Sequence, residues 1–172
     1  MINEETLMGL SKEALIELIE IYAKNWLALD GVWFQSVERK NGMEEAMYHD
    51  TEAWKRFTVI EAGRIKTFMN LPDRSGTEGL ARALQFRFYA CLNESEIVKD
   101  EKSLIYRVTE CRVQTARRRK GMRFHPCKTV GIEEYAGFAR VIDDRFRCEC
   151  LSCYPDVTDS GVCCAWRFTL GE

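Results

Sequence analysis

What the sequence lacks narrows its function. No stretch approaches the ~20 consecutive apolar residues that a membrane-spanning helix needs, so no membrane span is expected. Neither sign of charge dominates: 25 Lys and Arg stand against 27 Asp and Glu, a formal net charge of -2. No overall field therefore draws the chain to nucleic acid or anionic lipid. Histidine is scarce, with only His49 and His125. The hydrolase signatures G-x-S-x-G and H-E-x-x-H do not occur. The opening "MINEETLMGL" has neither a basic n-region nor a long apolar h-region, so no secretory signal is expected. A cytoplasmic location follows, in a reducing compartment where disulfides rarely persist.

The chain has 172 residues, 46% hydrophobic and 30% charged, enough for one domain over 1–172 with a proper core. The first half reads as helix. Ser11 is an N-cap, and Leu15, Leu18, Ile19, Tyr22, Trp26, Leu29 and Trp33 follow at helical spacing until Gly42. A second amphipathic helix runs over about 43–69, ended by the turn cluster "NLPDRSG", and a shorter helix covers 77–86. The pattern then changes. "LQFRFYACLNESEIV" and "SLIYRVTECRVQTA", separated by the polar "KDEK", read as a β-hairpin. "GIEEYAGFARVIDD" is a helix with Ile132, Tyr135, Phe138, Ala139 and Ile142 on one face, and two strands close the chain, over 146–151 and 162–170. The expected class is α+β: N-terminal helices packed on a four-stranded antiparallel sheet with one inserted helix.

The strongest chemical signal is sulfur. "RCECLSCYPDVTDSGVCCAWRF" holds five of the eight cysteines in twenty-two residues. Cys150 and Cys153 form a C-x-x-C at a strand end, with Cys163 and Cys164 across the following turn. Adjacent strand residues face opposite sides, so only one of that pair can join the first two. A fourth ligand has to come from Cys127 or Cys111, with His125 a weaker candidate. Four thiolates suit a structural Zn2+. An iron–sulfur cluster fits the thiol count too, and a redox C-x-x-C ranks behind zinc because such motifs open a helix whereas this one sits between strands. Cys91, Cys111, Cys148 and one of Cys163 and Cys164 also read as small buried hydrophobes.

The order "DGVWF", "IEAGRI", "C-x-V-Q-x-x-R" from Cys111, "HPCK-x-VG", "C-x-x-C-x-P-D" from Cys150 and "C-A-W-x-F" from Cys164 resembles an uncharacterised family of prokaryotic cytosolic proteins related to the aminothiazoline-carboxylate hydrolases. The cysteine arrangement is also similar to that of vinyl-reductase-type ligand-sensing domains, in which zinc sits beside a small-molecule pocket. The resemblance covers roughly Lys24 to Leu170. It implies Cys127, Cys150, Cys153 and Cys164 as ligands, and it prefers Cys164 because that residue directly precedes Ala165-Trp166.

Two helical stripes place an acid among aromatics: Trp26, Asp30, Trp33 and Val37 on the first long helix, and Trp54, Thr58, Glu61 and Ile65 on the second, with Arg64 beside them. A buried carboxylate needs a partner, so these acids either line a polar-ended pocket or form plain ion pairs. The basic run from Cys111 to Lys128 reads as a solvated strand-to-loop exit, nucleic acid being disfavoured by the overall charge. Within it Gln114 and Arg117 could reach a ligand carboxylate or phosphate. His49 neighbours Asp50 on a helix, where successive residues do not face each other. A Cys–His nucleophile would require His125 to reach Cys127 or Cys111, which the sequence alone does not show.

The reading that results is a cytoplasmic small-molecule-binding domain with a structural four-cysteine zinc site. Its pocket is expected to hold an anionic ligand against Trp26, Asp30, Trp33, Glu61, Arg64 and Arg117. The alternative is a hydrolase of a small heterocyclic or amide-like carboxylic acid, with Glu61 or Asp30 as its catalytic acid, and a redox or iron–sulfur protein stands third. A homodimer is compatible with each.

Overall fold

The computed structural model describes residues 3–171. A short helix α1 (Glu4–Met8) precedes two long ones, α2 (Lys12–Asn41) and α3 (Met43–Phe68). Ser11 caps α2 by accepting from the Ala14 amide at 3.2 Å, as its residue type promises. One residue, Gly42, separates the two helices. Its φ of 92° reverses the chain in a single step, a conformation that glycine alone adopts freely. The helix α4 (Gly76–Leu84) and a 3-10 turn (Phe88–Cys91) lead into β1 (Glu94–Lys99) and β2 (Ser103–Glu110). Then come α5 (Arg112–Arg119), α6 (Lys128–Ile142), β3 (Phe146–Cys153) and β4 (Cys164–Leu170). The strands form one antiparallel sheet in the order β1-β2-β4-β3. The architecture is α+β, with α6 packed on the sheet, α3 on α6 and α2 on α3. Among the described residues no helix is long and apolar enough to cross a membrane.

The inner face of the sheet follows from alternation. Leu104, Tyr106 and Val108 of β2 are buried, opposite Phe168, Trp166 and Cys164 of β4. Two glycines let α6 come close. An added Cβ at Gly131 would stand 2.5 Å from the Trp166 ring, and one at Gly137 would stand 2.7 Å from the Thr58 methyl. Thr58 fixes the same contact by donating its hydroxyl hydrogen to the Glu134 carbonyl at 2.7 Å.

Four sequence expectations change on folding. The stretch before Glu94 is not strand: Phe88 to Cys91 form the 3-10 turn, because Arg87 is pulled into the interior and anchors it. The basic run is not a plain loop, since α5 occupies its first half with Arg117 buried. On α2 the residues turned inward are Ala23 and Phe34, while Ile19, Tyr22, Leu29 and Trp33 are exposed. On α6, Ile132 is exposed and Val130 and Glu134 are buried instead. The hydrophobic periodicity identified α2, α3, α4 and α6 but not α5, and it missed the rotation of α2; the expected stripe of α3 is buried, and on α6 only Ile132 of the five expected residues turns outward.

The Gly131 contact gives a direct test. Gly131→Ala has to displace a fully packed indole, and overpacking of this kind costs about 1–3 kcal/mol. Urea unfolding is expected to show the lowered midpoint with an unchanged slope.

Candidate functional site

A cavity of about 330 Å³ lies where α2, α3 and α5 meet the sheet and α6. Its apolar wall comes from Leu27 and Phe34 of α2, Trp54 of α3, Val108 of β2, Val113 of α5 and Trp166 of β4. The polar part of the lining comprises Asp30, Asp50, His125, Glu134 and the cysteines Cys111, Cys127, Cys153 and Cys164. Trp166 is fully buried, and its indole N–H has no hydrogen-bond acceptor among the described residues apart from the neighbouring Cys164 sulfur.

Beside the cavity runs a chain of buried charge. The Arg87 Nε donates to Glu61 at 2.9 Å, its Nη2 lies 2.6 Å from Glu134 Oε1, and Glu61 also accepts from the Phe88 amide at 3.2 Å. The guanidinium sits over the rings of Phe138 and Tyr135, at 4.9 and 5.3 Å. Two carboxylates and the surrounding ring faces thus compensate one fully buried cation. Burial raises the Glu134 carboxyl, and the attraction of Arg87 opposes that rise.

A second chain reaches the cavity directly. Asp50 Oδ2 is 3.1 Å from His125 Nε2, and His125 Nδ1 is 3.1 Å from the Cys127 sulfur. The Gln114 side chain is clamped to the His125 backbone. Its Oε1 accepts from the amide at 3.0 Å, and its Nε2 donates to the carbonyl at 2.8 Å and to the Cys127 sulfur at 3.2 Å. Cys127 occupies the N-cap of α6, where the positive end of the helix favours a thiolate. Against this, burial pushes its thiol well above the ordinary value, and the nearby sulfurs of Cys111 and Cys164 and the carboxyls of Asp50 and Glu134 push in the same direction. Burial likewise pushes Cys111 up to about 12. Asp30 is pushed up to about 6 by burial first and Asp50 second, with His125 pulling it back.

The expected site residues separate. Asp30 and Arg117 line the cavity. Arg117 is already committed, giving both Nη atoms to Glu38 at 2.8 and 2.7 Å and its Nε to the Arg123 carbonyl. Trp26 stands behind the wall, packed on Trp54, Phe57 and Phe88. Glu61 belongs to the Arg87 chain and not to the lining, and its partner is Arg87 in place of the expected Arg64. Arg64 is exposed on α3, and Trp33 is 46% exposed with its ring edge-on to His49. His49 pairs with Glu45 at 3.2 Å, leaving Asp50 to turn inward. The sequence reading missed Asp50 and Glu134 and left open whether His125 meets a cysteine. The signal available was "HPCK", which holds imidazole and thiol two residues apart.

All eight cysteines are free. The hairpin does bring Cys153 opposite Cys164, and Cys153 stands beside both Cys150 and Cys164. Among the described residues, however, no group of three or more Cys, His, Asp or Glu side chains is gathered so as to hold a metal ion. In this arrangement the Cys127 sulfur is engaged by His125 and Gln114.

A family model matches residues 8–170, which is nearly the whole chain. The chain belongs to DUF6125, a family of unknown function. Comparison with curated proteins and with solved structures finds no match. What this DUF6125 member offers for a function is its cavity.

Two outcomes are expected from its charges. Arg87→Leu leaves the Glu61 and Glu134 carboxylates buried without their cation, a loss of about 3–5 kcal/mol readable in urea unfolding. Asp30 holds its proton more tightly in the folded protein than in the unfolded chain. Stability should therefore fall as pH rises from the ordinary carboxylate range through about 6. Asp30→Asn is expected to remove that part of the pH dependence, as followed by thermal melts between those pH values.

Proposed function

We propose that this protein binds a small molecule in the central cavity, and that the ligand carries an amino or amidinium group. The observation that carries the reading is the cavity itself, about 330 Å³ with aromatic and aliphatic walls and a smaller set of polar side chains in its lining. Such a space suits a ligand of modest size, held by apolar contact and oriented by a few polar groups. The charge argument departs from the anionic ligand expected from the sequence. Arg117 is spent on Glu38, whereas three carboxyls line the space: Asp50 is paired with His125 and Glu134 with Arg87, and Asp30 has no ion-pair partner among the described residues. A ligand cation relieves their mutual repulsion, and an anion adds to it. The resemblance to aminothiazoline-carboxylate hydrolases leads to the same chemistry, because an aminothiazoline is a cyclic amidine.

Thermal-shift and calorimetric titration with 2-aminothiazoline, acetamidine and matched carboxylates tests the assignment. The amidines are expected to raise the melting temperature in a concentration-dependent way. Asp30→Asn should weaken their binding roughly tenfold, the loss of about 1.5 kcal/mol that accompanies removal of a charged hydrogen-bond partner. Stabilisation by the carboxylates alone would overturn the assignment of ligand charge.

A further inference from the structure

We infer that Cys127 is a nucleophile, with His125 as its base and Asp50 as the positioning residue that orients the imidazole, and that together they attack the trigonal carbon of a small amide- or amidine-type substrate. The inference rests on the cavity reading and extends it from binding to reaction. Four thiols line the cavity, but only Cys127 has an imidazole nitrogen within reach, at 3.1 Å. The base is itself oriented: His125 is only 8% exposed, and its other nitrogen meets Asp50. Nucleophile, base and orienting acid in series are the arrangement by which a weak nucleophile is activated. Gln114 adds a fourth element. Its amide, fixed through two bonds to the His125 backbone, presents an N–H to the reacting sulfur.

The steps balance without any group from outside except water. His125 Nε2–H donates to Asp50, so Nδ1 carries the lone pair that takes the Cys127 proton as sulfur bonds to the substrate carbon. The tetrahedral adduct collapses by breaking the C–N bond, and the proton held on Nδ1 goes to the departing nitrogen. Water then adds to the thioester or thioimidate, giving its proton to Nδ1. The C–S bond breaks, and the proton returns to sulfur. Net, one C–N bond and one water become an acyl product and an amine, or an amidine becomes an amide and an amine. Asp30 lies on the same cavity and serves to hold the positive end of the substrate.

The test uses p-nitrophenyl acetate, a small acyl donor that requires no knowledge of the natural substrate, with peptide mapping of the acetylated cysteine. Cys111 lines the same cavity without a base, and Cys91 is exposed, so both serve as internal references in the native protein. Cys127 is expected to be acetylated at least about tenfold faster than either and then to turn over. His125→Ala should remove about 100-fold of its rate, the usual scale of general-base assistance. Asp50→Asn should lower the rate of acetylation while leaving the saturating concentration unchanged, a split that a merely structural role would not produce. Even labelling of the three thiols in the native protein would overturn the inference. So would a Cys127 rate indifferent to His125→Ala, or one equivalent of bound zinc that is lost in Cys127→Ser. Amidine binding with an inert Cys127 would leave the cavity reading standing and sink this one, and acetylation of Cys127 without amidine binding would do the reverse.

Discussion

The structure depends on a cation that has no access to water. Arg87 is 2% exposed, and an isolated guanidinium in that position would cost far more than a domain of this size could offset. Its neutralisation by Glu61 of α3 and Glu134 of α6 links three separate parts of the chain. The long helix α3, the turn after α4 and the helix on the sheet must all be in place at once. Side-chain packing alone would tolerate some sliding of α6 on α3. The Arg87 Nε bond to Glu61 and the Thr58 hydroxyl on the Glu134 carbonyl do not, because each fixes a definite distance and direction.

The cavity inherits its electrostatics from that constraint. Glu134 reaches both the Arg87 chain and the cavity lining, so the α6 surface facing the ligand space is acidic. Asp30 and Asp50 add to it from the two long helices. Their repulsion contributes to pushing Asp30 up to about 6, while His125 pulls it down. Two buried chains thus run side by side. One sets two carboxylates on a single cation and holds the fold together, and the other ends at a thiol. The second sets Asp50, His125 and Cys127 in series, each within hydrogen-bond distance of the next.

How much of this was legible in the residues varies with the kind of signal. The Ser11 cap, the Gly42 reversal and the alternation of β2 are local, and each appears where the sequence places it. Glu61 and Asp30 were recognisable as acids in aromatic stripes, but the stripe does not say whether a buried carboxylate meets a ligand or an arginine. Glu61 met Arg87, an arginine inside a stretch that read as strand. The partner of Cys127 was equally hidden. His125 lies two residues away, yet whether its ring turns to the sulfur depends on Gln114 and Asp50, which α5 and α3 supply from a distance.

By itself the sequence determined the α+β class, the two long helices joined at one glycine, the hairpins and the concentration of cysteine near the last strands. Periodicity, capping and turn chemistry act between residues a few positions apart, so they can be read along the chain. Tertiary structure decided the rotation of α2, the pairing of the buried charges, the commitment of Arg117 to Glu38 and the meeting of Asp50, His125 and Cys127. These are contacts between residues far apart in the chain, selected by which buried charges can neutralise one another and which side chains fit a shared space. No local pattern carries that information.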